Sequence, residues 1–115
     1  MIMAENKKFY LIGREDTFES INGKDSNVWI CDTYAVAREL FENMVQEYLK
    51  GYFKNRVDID TFEALTDDVI VRTDTKGIRF VYCEEKETQL YCHVWMDEEP
   101  REVITENTSG KSSLW

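Results

Sequence analysis

The chain has 115 residues, 43% apolar and 32% charged, with 14 Lys and Arg against 23 Asp and Glu for a net charge of −9. That length suits one domain with a core of moderate size, and an aromatic content of 13% is too high for a wholly disordered chain. No apolar run approaches the roughly 18 residues of a membrane span, the opening MIMAENKK shows no secretory h-region, and the acid excess disfavours nucleic acid or anionic lipid as a direct ligand.

Three cysteines cannot close a disulfide framework and share no CxxC spacing, which predicts reduced thiols in a cytoplasm. Residues 1–7 read as a loose terminus, residues 8–104 as a single domain and residues 105–115 as a flexible polar tail that ends oddly in Leu114-Trp115.

Residues 9–12 have the aromatic and aliphatic character of a strand, closed by Gly13 and the charges of Arg14, Glu15 and Asp16. Residues 28–31 predict a second strand. Between them Asn22-Gly23 is the strongest short turn signal in the chain, so the two strands are expected to form a hairpin. Asp32 or Thr33 can then cap a helix by accepting from its free N–H groups.

The clearest periodicity follows. Ala37, Leu40, Phe41, Met44, Val45, Tyr48 and Leu49 recur at steps of three and four, making one apolar stripe, with charged and polar residues opposite. The predicted helix covers residues 32–50, about 28 Å at 1.5 Å per residue, and Gly51 stands where a left-handed residue would stop it. Residues 52–57 form a connector. Asp60 and Glu63 have capping-box spacing, which predicts a further short helix through Thr66.

The last third reads as three antiparallel strands at residues 69–73, 78–83 and 89–96, joined by Asp74-Thr75-Lys76-Gly77 and by the charged residues 84–88. Pairing Thr73 with Ile78 and Cys83 with Gln89 collects Val69, Val71, Ile78, Phe80, Tyr82, Leu90, Cys92, Val94 and Met96 on one face. That face is the natural partner of the helix stripe. The opposite face then holds Ile70, Arg72, Arg79, Val81, Cys83, Tyr91, His93 and Trp95. The fold class is therefore α+β, a mainly antiparallel sheet in ββ-α-βββ order with one long amphipathic helix on one face.

Three short motifs fail on context. Ser109-Gly110-Lys111-Ser112 ends like a phosphate-binding loop, but Thr105 stands where its first glycine belongs and no helix can follow. Asp58-Ile59-Asp60-Thr61 has the letters of the DxDxT signature of haloacid-dehalogenase phosphatases, yet it precedes a capping box instead of ending a buried parallel strand. It reads as a helix cap with a solvated acid. Asn107-Thr108-Ser109 fits a glycosylation pattern without a secretory signal to give it meaning.

His93 is the single histidine. With Cys83 it supplies two metal ligands at most, where a structural zinc site needs four, and no nucleophile or orienting acid is nominated beside it. Its position predicts a surface-strand histidine facing Arg79, which would depress its proton affinity. Neither catalytic residues nor a metal or cofactor is expected.

Tyr91, His93 and Trp95, alternating on one strand beside Arg72 and Arg79, form the best candidate contact surface, since aromatic and arginine side chains dominate binding hot spots. The competing expectation is that the first hairpin or the Leu114-Trp115 tail covers this face. Acidic groups in loops, among them Asp67, Asp68, Glu84, Glu85 and Glu87, would supply complementary charge toward a cationic partner.

In size, acidity and absence of catalytic motifs the chain is similar to the small inhibitor proteins that block basic nucleic-acid enzymes, such as phage anti-CRISPR and anti-defence proteins and bacterial immunity proteins. The similarity is one of type and rests on no shared residue motif. It implies a non-enzymatic protein that inhibits or sequesters a positively charged, nucleic-acid-handling partner, with no direct contact to nucleic acid or membrane. Two alternatives stand beside it. One is a nucleotide or small-ligand module using Arg72, Arg79 and His93; the other is a structural subunit that forms a homodimer through the same face.

Overall fold

The structure, a computed structural model, describes residues 6–18 and 25–104. The predicted loose terminus therefore lies outside the described residues up to residue 5, as do the Asn22-Gly23 turn and the whole tail. The elements run β1 (Asn6–Asp16), β2 (Asp25–Cys31), α1 (Tyr34–Gly51), β3 (Val69–Asp74), β4 (Ile78–Glu85), β5 (Tyr91–Asp97) and β6 (Arg101–Ile104). All strand pairings are antiparallel, in the order β2-β1-β5-β4-β3, with β6 also on β1. The fold is α+β: among the described residues, one six-stranded sheet with a single helix packed on it.

The helix forms where its periodicity places it. Thr33 is extended and accepts the Val36 N–H at 3.2 Å, the expected cap. Ala37, Phe41, Met44, Val45, Tyr48 and Leu49 are all buried, and Leu40 packs against them. Its end differs from expectation: Gly51 is the last helical residue, and the right-handed Tyr52 closes the helix by donating its N–H to the Tyr48 carbonyl. The chain turns left-handed only at Asn55.

The expected short helix at residues 60–66 is absent. Asp58 accepts the N–H groups of Asp60 and Thr61 at 2.8 and 2.9 Å, and Phe62 adopts a positive φ. Asp58 and Glu63 then close a small loop bridged by Val57 and Ala64. An aspartate two residues ahead of the capping box offers the backbone a turn that competes with a helix, and here it prevails. Phe53 and Val57 from this connector complete the core.

Both strands of the first hairpin are longer than their hydrophobic letters suggest. Gly13, Arg14, Glu15 and Asp16 lie within β1 and pair with both β2 and β5. Beyond Pro100 the chain returns to the sheet as β6. Ile12 of β1 faces Met96 and Phe9 faces Arg101, so three steps along β1 match five along the outgoing strand. This bulge carries the chain from β5 into β6, which the sequence reading missed. Buried Asp97 fills it, accepting the Leu11 N–H at 2.9 Å and the Arg101 guanidinium at 2.6 Å. Burial opposes the Asp97 carboxylate, but those donors outweigh it and hold its pKa below the usual value.

The registers of the last two hairpins differ from expectation by three residues each. Arg72 faces Tyr82, and Tyr82 faces His93. Three is odd, so β4 is turned over while β3 and β5 keep their expected faces. Val81 and Cys83 therefore enter the core beside Val69, Cys92, Val94 and Met96, whereas Ile78, Phe80 and Tyr82 point away from the helix. Arg79 moves the opposite way, to the helix side.

Candidate functional site

The ring-bearing part of the sheet face opposite α1 is built from four strands. β5 contributes Tyr91, His93 and Trp95, β4 contributes Phe80, Tyr82 and Glu84, β3 contributes Arg72 and β1 contributes Gly13 and Glu15. The first hairpin extends the sheet instead of covering this face, contrary to one expectation. The Leu114-Trp115 cover lies outside the described residues.

The rings touch in series. Tyr82 stacks on Tyr91 with centroids 5.5 Å apart, and His93 lies 5.0 Å from Trp95 and 5.6 Å from Phe80. The Arg72 guanidinium sits 5.8 Å over Tyr82. Each ring is half-buried, leaving one aromatic surface in contact with solvent. Two phenols anchor carboxylates at its border. Tyr82 donates to Glu84 at 2.6 Å and Tyr91 to Glu15 at 2.8 Å. Burial, reinforced by these carboxylates, pushes both phenol pKa values up to about 12, so both remain donors at neutral pH.

Gly13 decides where the largest ring lies. The benzo ring of Trp95 rests over this glycine, occupying the space a β-carbon would need. The same residue that reads as a strand terminator is thus the floor under Trp95. Around Trp95, Phe80, His93, Arg72, Lys76 and Glu15 the surface dips into an open depression of about 760 Å³.

Of the residues singled out from sequence, Tyr91, His93, Trp95, Arg72 and Glu84 share this face. Arg79 does not. It lies on the helix side, where it donates to Glu98 at 2.7 Å, with the Tyr34 hydroxyl on the same carboxylate. His93 accordingly faces Tyr82 and not Arg79; burial lowers its pKa, and nearby Glu15 partly opposes that.

Asp68 and Glu85 are engaged internally. Arg56 bonds them at 3.1 and 2.6 Å, and Thr66 also donates to Asp68, tying the connector to the β4–β5 turn. The Arg56 guanidinium keeps the Glu85 pKa low. Asp67 and Glu87 are exposed, the first in the connector just before β3 and the second in the β4–β5 turn.

Phe80, Tyr82 and Glu15 were missed as members of the face. Matching aromatics across strands, Tyr82 with Tyr91 and His93 and Phe80 with Trp95, was the available signal, because such pairs stabilise a sheet beyond simple alternation. Among the described residues no group of three or more His, Cys, Asp or Glu could hold a metal ion, and no helix is long and apolar enough to cross a membrane. No protein-family model, curated protein or solved structure matches the chain.

Proposed function

We propose that this chain is a small, acidic, non-catalytic binding protein that inhibits or sequesters a positively charged protein partner of the nucleic-acid-handling kind, in the manner of anti-defence and immunity proteins. One observation carries the reading: a ring-paved sheet face whose border carboxylates, Glu15 and Glu84, are held in place by Tyr91 and Tyr82. Ring faces and carboxylates together suit arginine and lysine side chains, through cation–π contact and charge-assisted hydrogen bonds. The net charge of −9 adds long-range attraction for such a partner and repels nucleic acid.

The test is capture from host lysate at low and high salt, followed by on-rates for the purified captured protein. The double variant Glu15→Lys/Glu84→Lys is compared with Glu39→Lys/Glu47→Lys, which makes the same net charge change at exposed helix positions. The expected result is a basic target whose on-rate falls steeply with ionic strength, and falls about tenfold or more further for the face variant than for the helix variant. An on-rate indifferent to salt, or equal for the two variants, removes this function from the face.

A second reading, a nucleotide-sized ligand in the depression, draws on Arg72 and Lys76 at its wall. It is the weaker one, because Arg79 is turned away and Glu15 and Asp74 share that wall.

A further inference from the structure

Among the described residues β2, β3 and β6 each have one paired neighbour, and these outer strands are guarded differently. β3 carries Arg72 and Asp74 and β6 carries Arg101 and Glu102, whereas the charge on β2 is confined to its first residue, Asp25, and Ser26 to Cys31 has neither a charge nor a proline. Natural edge strands are ordinarily protected by such residues, because every second N–H and C=O along an edge is free to pair with another strand. Among the described residues β2 pairs only with β1. Three consecutive apolar residues on it are solvent-exposed, Val28 at 57%, Trp29 at 37% and Ile30 at 71%.

We propose that β2 is a self-association edge that pairs antiparallel with β2 of a second copy, about a two-fold axis passing through Trp29. Paired residues in an antiparallel ladder share a face, so a symmetric pairing must be centred on a residue and not between two. Centring on Val28 sets Ile30 against Ser26 of the other copy. Centring on Ile30 sets Val28 against Asp32. Centring on Trp29 sets Val28 against Ile30 twice over and Trp29 against Trp29, covering the exposed apolar run by itself. This complementarity within one seven-residue strand is what selects a second copy as the occupant.

The geometry has a consequence for the candidate site. Val28 lies opposite Gly13 and Ile30 opposite Leu11, on the same sheet face as Trp95. An axis normal to the sheet therefore brings the two ring-paved faces to one side of a single continuous sheet, with both helices on the other. The assembly presents two copies of the face to one partner, though the pairing itself stands independently of what that partner is.

A strand edge is a small interface, below the about 1,200 Å² of most stable complexes, so dissociation is expected in the micromolar range. Mass in solution is measured by sedimentation from about 5 to 500 µM, a span that brackets such an affinity. Three proteins are compared: wild type, Val28→Lys/Ile30→Lys and Trp29→Cys. The wild type should shift from monomer to dimer across this span, and raising the salt should leave the dimer unchanged or tighten it, since two copies of −9 repel each other. The lysine variant changes two exposed side chains and sets lysines opposite each other, so it should weaken the dimer by at least about tenfold. The Trp29→Cys chain should cross-link to itself under mild oxidation with oxidised glutathione, because residue 29 lies on the axis.

A wild type monomeric throughout overturns the proposal. So does a dimer unaffected by the lysines or silent in cross-linking, which would place the contact elsewhere. Hydrogen exchange that finds the outward amides of β2 protected in a monomer would also overturn it, by showing that the chain covers its own edge.

Discussion

Replacing Gly13 with alanine isolates the contact that shapes the candidate face. A β-carbon at residue 13 would stand 2.6 Å from Trp95 Cε2 and 2.8 Å from Cη2, with Cζ2 nearer still. Carbon atoms in contact prefer about 3.5–4.0 Å, so the ring must move by roughly 1 Å or swing off the sheet. The backbone does not object, because Gly77 is the only described glycine with positive φ.

Overpacking of this kind costs about 1–3 kcal/mol, while alanine recovers about 0.4–1 kcal/mol by restricting the unfolded chain. A net loss of about 1–2 kcal/mol is expected for Gly13→Ala alone. In a Trp95→Ala background the obstruction is gone, and the same change should be neutral or stabilising by up to about 1 kcal/mol. Urea unfolding of the four proteins in the cycle measures the difference, with a coupling of about 1–3 kcal/mol expected. Equal effects of Gly13→Ala in both backgrounds would refute the claim that Trp95 imposes the glycine.

Two further predictions follow from buried polar groups. The Tyr48 hydroxyl donates to buried Asp16 at 2.5 Å, joining the helix to β1, so Tyr48→Phe should cost about 1.5–3 kcal/mol in urea unfolding, as loss of a hydrogen bond to a charged group does. A cost under about 0.5 kcal/mol would show that the bond does not fasten the helix to the sheet. For His93, burial among Tyr82, Phe80 and Trp95 lowers the folded pKa, and Glu15 is the charged group that opposes this. The unfolded chain then binds the proton more readily, so stability falls as pH drops below the ordinary histidine value of about 6.5 and levels off beneath the folded pKa. Unfolding midpoints from pH 8 to 5 should show wild type losing stability relative to His93→Gln over that window, and a flat or inverted difference would exclude it.

What was legible in the sequence follows a physical pattern. The helix was read to within a residue or two because seven apolar side chains at helical spacing can be buried only one way, and its Thr33 cap is a local hydrogen bond. Five of the six strands, and their antiparallel direction, followed from side-chain alternation, while β6 beyond Pro100 did not. The register of β4 was not legible because that strand is apolar on both faces, with Phe80 and Tyr82 on one and Val81 and Cys83 on the other. Hydrophobicity alone could not say which pair belonged inside. The turns settle it, and the β4–β5 turn depends on a left-handed Gln89, a conformation its side chain does not announce.

Local chemistry also misled where two local options competed. Asp58 formed a turn where Asp60 and Glu63 spelled a helix cap, and Gly13, which ends strands elsewhere, continued one here because Trp95 needed the space. Composition determined that the protein is acidic, and periodicity determined that it is an α+β domain with one buried helix stripe. Which arginine joins the aromatic face, which acids are free, and which edge of the sheet is open were decided only by the tertiary structure. Each depends on strand parity and on partners far apart in the chain, and no window of sequence contains both.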